Sequence, residues 1–388
     1  MKRITAILLV LVMLLALSAC GTVIDESTIN HMYNTVYDIQ EQIDILSERI
    51  DAQLEAAEQA AAKAAEEAAA AAAAKAEEEA AAAARKAVLD AADHELPVNA
   101  MVLNGTTGFS MAKLIHDAQN GSAALNYAFS VETDASNISA ALISGDCDIA
   151  ALPTNAAATL YNRTEGGVQL AAINTLGVLY LVENTESVSV EAMSDLEGMT
   201  VYAPAQNPTI LFNIMANAAG VDVAVDNTYA QPADLRTAIA AGEVDLAVLP
   251  EPMVTIALSA NESLAVALDL TSVWDSLETP GSLVQGCIVF RTAFVREHPA
   301  EAAAFLAEYA DSVAYLTDDP AGAAQCIEET GIFPQAAVAQ KAIPNCNICL
   351  ITGQEMKDAM NRFAEILYAA NPDAVGGAVP GDDFYYLG

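Results

Sequence analysis

Two stretches of this sequence repeat one design and decide the fold: Gly145-Asp-Cys-Asp-Ile-Ala-Ala-Leu-Pro-Thr154 and Gly242-Glu-Val-Asp-Leu-Ala-Val-Leu-Pro-Glu251. In each, a glycine follows a predicted helix and supplies the left-handed cap that a helix ending there needs. An aspartate and a short apolar run then predict a buried strand, and a proline ends that strand and begins the next helix. The repeat predicts two similar lobes with a ligand between them. Chance recurrence of common α/β patterns is the alternative.

The segments around the repeat have the same rhythm. Short apolar runs alternate with helical patterns such as residues 109–118 from Pro97 to Gly388. The predicted strands are Asn99–Leu103, Asp148–Leu152, Val178–Val182, Thr200–Tyr202, Leu246–Leu249 and Cys287–Phe290. Strands that alternate with helices predict an α/β fold with mostly parallel sheets.

Polar turns follow many of these strands. Open α/β sheets bind ligands at the carboxyl ends of their strands, where helix N-termini converge. Taken singly, each side chain there is better explained as a helix cap, but their coincidence at strand ends favours a binding site. The candidate ligand-binding residues are Asn104, Gly105, Thr106, Thr107, Gly108, Thr154, Asn155, Asn174, Thr175, Gln206, Asn207, Thr209, Glu251 and Pro252.

Five segments of the body match a known family: Leu103–Gly108, Ala151–Asn155, Leu249–Pro252, Ile343–Cys346 and Pro380–Tyr386. Through them, residues 97–388 resemble the substrate-binding components of ABC transporters of the nitrate, sulfonate and taurine group, which are related to binders of thiamine pyrimidine precursors. The resemblance implies a type II periplasmic-binding-protein fold, with lobe one at 97–183 plus 287–388 and lobe two at 184–286. The two crossings would fall near Leu181–Asn184 and Gln285–Ile288. It also implies hinge closure around a solute and recognition of the closed form by a permease.

The N-terminus predicts a lipoprotein signal peptide over residues 1–19. Met1-Lys2-Arg3 precedes an apolar run that ends in Leu17-Ser-Ala-Cys20, and this ending resembles the bacterial lipoprotein cleavage box. Cys20 would carry the lipid and hold the protein on the extracytoplasmic face of a bacterial membrane. A plain signal peptide with an incidental cysteine is the alternative.

Residues 20–96 are predicted to form an alanine-rich helical stalk, since Thr22–Leu96 contains neither glycine nor proline. An apolar residue recurs at every seventh position, with a second one three positions after the first three: Ile29, Val36, Ile43 and Ile50, and Met32, Ile39 and Leu46. This is a coiled-coil seam of about three heptads, which favours a dimer or trimer. An amphipathic helix lying on the body is the alternative.

The net charge of −37 argues against nucleic acid as a partner, because that binding depends on cationic residues. Residues 97–388 hold 35 carboxylates against eight Lys and Arg, which favours a neutral or cationic solute over an anion. Helix N-termini still leave anions open. Nearby aromatic residues, including Phe109, Tyr161 and Trp274, offer stacking surfaces, although packing explains them equally well.

No enzyme, cofactor or metal site is predicted. Ser110-Met-Ala-Lys113 matches the S-x-x-K pattern of penicillin-binding proteins, which leaves a hydrolase acting through Ser110 as one alternative, but the companion motifs are missing. Cys346 and Cys349 have zinc-like spacing without a second ligand pair. The sequence therefore predicts a surface lipoprotein that delivers a small organic solute to an ABC permease and its ATPase. The rival is a stalk-based structural or sensory lipoprotein whose body has no transport role.

Overall fold

The computed structural model describes residues 25–277 and 281–388, together with residues 8, 10–13, 15, 16 and 19. They divide into two compact units, Met1–Ala84 and Arg85–Gly388, which are treated separately. The predicted lipidation site Cys20 and most of the predicted signal peptide lie outside the described residues. Within the described part of the chain, every helix is too short or too polar to span a membrane.

A single helix, α1 (Glu26–Asp90), accounts for the predicted stalk. It begins after Asp25, whose carboxylate accepts a hydrogen bond from the Thr28 amide at 2.9 Å, and none of its residues is buried. Its last turns, from Arg85, belong to the second unit, where Val88 and Leu89 pack against the core. This packing explains why that unit begins before the predicted stalk boundary at residue 96.

The first sheet has six strands in the order β11-β4-β10-β3-β1-β2. They are β1 (Pro97–Leu103), β2 (Asn126–Glu132), β3 (Ile149–Pro153), β4 (Val168–Thr175), β10 (Gly286–Arg291) and β11 (Ile348–Ile351). β1, β2 and β3 are parallel, whereas β10 is antiparallel to both of its neighbours and β11 is antiparallel to β4.

The second sheet has five strands in the order β7-β6-β8-β5-β9. They are β5 (Leu179–Asn184), β6 (Thr200–Tyr202), β7 (Ala224–Asp226), β8 (Leu246–Pro250) and β9 (Leu264–Asp269). β6, β7 and β8 are parallel, and β5 is antiparallel to β8 and β9. The α/β fold class predicted from the sequence is therefore confirmed.

Helices cover both faces of the sheets, so that the central strands β3 and β8 are buried on both sides. The helices of the second unit are α2 (Thr106–Phe109), α3 (Ala112–Gln119), α4 (Ala135–Ser144), α5 (Thr154–Arg163), α6 (Asn207–Ala219), α7 (Pro232–Ala240), α8 (Met253–Ala260), α9 (Leu270–Asp275), α10 (Thr292–Glu297), α11 (Pro299–Asp318), α12 (Pro320–Glu329), α13 (Ala336–Ala342) and α14 (Gly353–Ala370). Short 3₁₀ turns lie at Met193–Leu196, Ile343–Asn345, Pro372–Val375 and Asp382–Phe384.

The chain crosses between the two sheets twice. It leaves the first sheet after Thr175, enters the second at Leu179, and returns to the first at Gly286. The first crossing therefore precedes the one predicted near Leu181–Asn184, because the apolar run that suggested a crossing there is itself strand β5 of the second sheet. The lobe boundaries at 183/184 and 286/287 stay predictions.

Candidate functional site

A cleft of about 550 Å³ lies between the carboxyl ends of the strands of the two sheets. Both sheets contribute turns to it: those after β1 and β3 from the first, and that after β8 from the second. Seven of the residues predicted from the sequence line this cleft, namely Asn104, Gly105, Thr106, Thr107, Asn207, Glu251 and Pro252.

The turn after β1 forms one wall of the cleft. The Asn104 amide donates to the Glu132 carbonyl at 2.8 Å, which ties the turn to the end of β2. Gly105 has φ +86°, a value that L-residues rarely adopt, and an added Cβ at Gly108 would lie 2.6 Å from the Leu103 carbonyl oxygen. The turn therefore needs both glycines, one for its conformation and the other for close approach of the backbone.

Glu251 lies on the opposite wall and is only 3% exposed. Its carboxylate accepts hydrogen bonds from the Thr255 amide (3.1 Å) and hydroxyl (2.9 Å), at the start of α8. Its backbone carbonyl accepts from the Thr106 hydroxyl at 2.6 Å, so the two walls are directly bonded. Burial raises the pKa of the Glu251 carboxyl above 4.5, while the bonds from Thr255 act in the opposite direction.

A second direct link between the elements of the two sheets runs through Asn345. The Tyr180 hydroxyl donates to the Asn345 carbonyl at 2.8 Å, and the Asn345 side chain donates to Glu251 at 3.4 Å. Gln285, just before β10, accepts from the Val178 amide at 2.6 Å and so joins the two crossing segments. These bonds connect elements of the two sheets beside Glu251, Val178 and Gln285, which line the cleft.

Asn207 begins α6 at the rim of the cleft. Its side-chain oxygen is shielded from water and accepts no hydrogen bond within the described residues. The neighbouring Thr209 hydroxyl donates to the Pro204 carbonyl at 2.8 Å and so holds the start of α6. The side-chain oxygen of Asn207 is therefore a hydrogen-bond acceptor in the cleft that is available to a donor group of a ligand.

The other predicted residues lie outside the lining of the cleft. Asn174 and Thr175 are buried beneath the turn after β1, where the Asn174 amide donates to the Thr107 carbonyl at 3.0 Å. Thr154 is fully buried and donates to the Val284 carbonyl at 2.7 Å. Asn155 and Gln206 line a separate concavity of about 580 Å³. Gly108 and Thr209 serve the turn and the helix start described above.

Several lining residues were not predicted from the sequence. Ile332 and Phe333 supply apolar surface, and Thr133, Gln231 and Gln285 supply polar groups. The available signal for the first pair was Gly331-Ile-Phe-Pro334, a glycine and a proline around two apolar residues, which is typical of a turn. Its place in the cleft depends on the bond from the Gly105 amide to the Ile332 carbonyl (3.3 Å), which joins residues far apart in the sequence.

The charges around the cleft disfavour an oxyanion. No Lys, Arg or His lines it among the residues that the structure describes, and Glu251 is its one ionisable lining residue there. Three helices that start at the cleft have a proline in or just before their first turn (Pro208, Pro232 and Pro252), and proline has no N–H to offer an anion. The Thr255 amide of α8 is already bonded to Glu251.

A larger concavity of about 840 Å³ lies elsewhere in the second unit, lined in part by Met193, Met215 and Trp274. None of the fourteen candidate ligand-binding residues lines it, although Trp274 was considered above as a stacking surface. The smaller cleft is the better candidate, because the strand ends of both sheets converge there.

The serine and cysteine motifs have structural partners. Ser110 is fully buried and accepts hydrogen bonds from the Tyr309 hydroxyl (2.6 Å) and the Asn174 amide (3.2 Å), while Lys113 pairs with Asp117. This geometry contradicts activation of Ser110 by Lys113. Burial raises the pKa of the Cys349 thiol to about 12 and that of Cys346 well above its usual value, which disfavours the thiolate forms that bind metals.

Comparisons with known proteins agree with this architecture. The NMT1/THI5-like family profile matches residues 122–323. An ABC transporter protein of Parabacteroides distasonis is 27% identical, with a TM-score of 0.64 over 76% of this chain and 99% of that one. The search of curated proteins returned no match.

Two sulfonate-binding proteins share the fold at lower identity. The periplasmic aliphatic sulphonate binding protein SsuA of Escherichia coli is 16% identical, with a TM-score of 0.58 over 74% of this chain and 97% of that one. The alkanesulfonate-binding protein SsuA of Xanthomonas axonopodis, bound to MOPS, is 14% identical, with a TM-score of 0.55 over 75% and 96%. The periplasmic-binding-protein fold and the group resemblance predicted from the sequence are confirmed.

Proposed function

Because the chain belongs to the NMT1/THI5-like family, we propose that it is the extracytoplasmic solute-binding component of an ABC importer. It captures a small organic solute between its two lobes and delivers it to a membrane permease served by an ATPase. The observation that carries this proposal is the cleft of about 550 Å³ at which the polar strand ends of both sheets meet. A volume of this size suits a small molecule.

Capture requires the two lobes to close on the solute. The two crossing segments, joined by the bond from the Val178 amide to Gln285, are the natural hinge. Asn104, Thr107 and Asn207 supply hydrogen bonds, and Phe333 supplies an apolar surface. The Thr106–Glu251 bond joins the two walls and favours the closed arrangement. The permease then recognises that arrangement.

The solute is uncharged or cationic. The lining offers amide and hydroxyl groups but no cation among the described residues, and proline removes N–H groups from three helix starts. The unsatisfied oxygen of Asn207 calls for a solute with an N–H or O–H donor. In this respect the cleft differs from what an alkanesulfonate would need, since a buried anion is normally paired with a cation or with several N–H groups.

The N-terminal region anchors this body to the membrane. We propose that Cys20 is lipidated and becomes the first mature residue once residues 1–19 are removed, and that residues 20–96 form a spacer on the extracytoplasmic face. The basic start, the apolar run and the Leu17-Ser-Ala-Cys20 ending support this assignment. Metabolic labelling with a radioactive fatty acid tests it: the chain should be labelled, and Cys20→Ser should abolish the label.

A thermal-shift series on the full-length chain tests solute binding. The probes are cytosine, nicotinamide and choline for the uncharged and cationic classes, and ethanesulfonate and nitrate for the anions. A probe at about one hundred times its dissociation constant adds roughly 2.7 kcal/mol of stability, which is several degrees in melting temperature. A shift with a probe of the first class supports the proposal. A flat series, followed by no retained solute from a cell extract, would favour the rival structural or sensory role.

Two asparagine variants locate the site. Asn104→Ala removes a side chain from the wall of the cleft and should weaken solute binding about tenfold, the effect of one lost hydrogen bond. Asn155→Ala removes the same side chain from the separate concavity and should leave affinity unchanged. Equal losses of solute affinity in the two variants would contradict the assignment of the binding site to the cleft.

A further inference from the structure

Helix α1 carries an apolar seam that none of its own residues buries. Ile39, Ile43, Leu46 and Ile50 are each between 51% and 55% exposed, and no residue of the helix is buried. Side chains at this heptad spacing share one stripe of an α-helix. Leaving these side chains in water is unfavourable, because removal of large aliphatic side chains from water stabilises a folded or associated state.

The charges of the same segment are sorted away from the seam. Counting Ile29 as the first heptad position, the five carboxylates between residues 28 and 54 occupy the second, third and sixth positions, which face outward: Asp38, Glu41, Asp44, Glu48 and Asp51. The positions that flank the seam hold uncharged residues and one arginine: Thr28, Tyr33, Thr35, Gln40, Gln42, Ser47, Arg49 and Leu54. In a chain with a net charge of −37, this leaves a stripe without like-charge repulsion.

We propose that the seam from Ile29 to Ile50 pairs with the seam of a second copy of this chain in a two-chain coiled coil. A second copy fits because it brings an equal apolar stripe whose flanks are also free of carboxylates. β-branched residues occupy every first position (Ile29, Val36, Ile43 and Ile50), and Met32, Ile39 and Leu46 occupy the fourth. β-branched first positions favour two strands when leucine fills the fourth, whereas isoleucine at the fourth, here Ile39, favours three or four. The proposal goes beyond solute capture, since it places two solute-binding bodies in each assembly.

The seam is short, and a short seam makes the association of two chains reversible. After Leu54 the helix is mainly alanine, glutamate and lysine and offers no further large apolar residues before Val88. About three heptads give a weak pair in dilute solution, so the dimer depends on protein concentration. Confinement of two chains to one surface would raise their effective concentration and strengthen the pair.

A matched pair of isoleucine variants tests the seam. Ile43 lies in the seam and Ile45 lies outside it, yet the two side chains are almost equally exposed, at 53% and 51%. Sedimentation velocity of the full-length chain across a concentration series should show a species of twice the chain mass. Ile43→Asp should raise its dissociation constant about tenfold or more, because it buries a carboxylate against its own copy. Ile45→Asp should leave it unchanged.

Circular dichroism of each variant checks that α1 stays helical, which is expected because neither isoleucine is buried. A chain that is monomeric at every concentration would overturn the proposal, as would equal effects of the two variants. A trimer would overturn the two-chain arrangement. Loss of dimer in Ile43→Asp alone, with helicity retained, would establish the seam as the interface.

Discussion

The two copies of the repeated segment occupy equivalent places in the two sheets but use their polar residues differently. β3 and β8 each lie beside the antiparallel strand that follows a crossing, β10 and β5. The amide that follows each proline bonds to the residue before a crossing strand: Thr154 to Gln285 at 3.1 Å, and Glu251 to Val178 at 3.0 Å. The backbone design is thus repeated at the proline end of each copy.

The side chains diverge within this shared frame. Asp148 is buried and pairs with Arg291 at 2.5 Å, whereas its counterpart Asp245 is exposed and accepts a hydrogen bond from the Asn184 side chain at 3.4 Å. After the prolines, Thr154 is bonded to the crossing segment, whereas Glu251 lies on the wall of the cleft. The first copy therefore stabilises the body, and the second copy helps to form the site.

Replacement of Asp148 and of Asp245 should give the largest difference in the free energy of unfolding between the two copies. Asp148→Ala leaves the partly buried Arg291 without its partner and removes the acceptor for the Asn99 amide, so we expect a loss of about 2–3 kcal/mol. Asp245→Ala should change the free energy of unfolding by less than about 0.5 kcal/mol. Urea denaturation of both variants measures this contrast. Equal losses would mean that the second aspartate has a structural role that its exposure does not suggest.

The residue after the first proline should matter for stability alone. Thr154→Val keeps the shape of the side chain but leaves the Val284 carbonyl without its hydroxyl donor, at a cost of about 1–2 kcal/mol. Solute affinity should be unchanged, because Thr154 is fully buried outside the lining of the cleft. Thr237→Val, on an exposed helix face, is the matched control and should lose less. A lower affinity of Thr154→Val would contradict this separation of roles.

The two cap glycines should behave alike. Gly145 and Gly242 have φ values of +87° and +74°, and an added Cβ at either position meets nothing within 4 Å. Alanine at either position should therefore destabilise the protein only through the left-handed backbone conformation, by about 1 kcal/mol in each copy. Thermal unfolding of the two single variants measures this cost. A clear difference between them would show that the repeat is less symmetric at its helix ends than its backbone indicates.

Glu251, the residue after the second proline, should make the stability of the protein depend on pH. Burial raises the pKa of Glu251 in the folded chain, so the folded state holds its proton more tightly than the unfolded state does. Wild-type stability relative to Glu251→Gln should therefore fall as the pH rises from 4.5 through the raised pKa, and then level off. Urea midpoints at pH 4 and pH 8 measure this change. Thr154→Val, which changes no titratable group, should lose equally at both pH values; a rising wild-type curve would contradict the sign.

Much of the fold was predictable because it depends on local rules. The repeat placed β3 and β8, and β6 was predicted without error at Thr200–Tyr202. β2, β4, β7, β9 and β11 were not among the predicted strands. In β2 and β9 exposed positions interrupt the apolar run that marks a buried strand. The helix predicted at 109–118 is two helices, α2 and α3, because Ser110 and Met111 form a separate turn between them.

The site was predictable only in part. Strand ends place polar residues near a cleft, and seven of them do line it. The sequence cannot distinguish Asn104, on the wall, from Asn174, which holds that wall from beneath, because both are asparagines at the carboxyl end of a strand. It also cannot assign Phe333, whose position depends on packing of a segment more than 200 residues after Asn104.

The sequence by itself determined the α/β character, the repeated lobes and the long helix, since strand length, glycine caps and helix propensity are properties of neighbouring residues. Only the tertiary structure decided which crossing strand joins which sheet, and therefore that Thr154 is buried while Glu251 borders the cleft. The physical reason is that burial and hydrogen-bond partners are set by distant segments, here Val284 for Thr154 and Thr106 for Glu251.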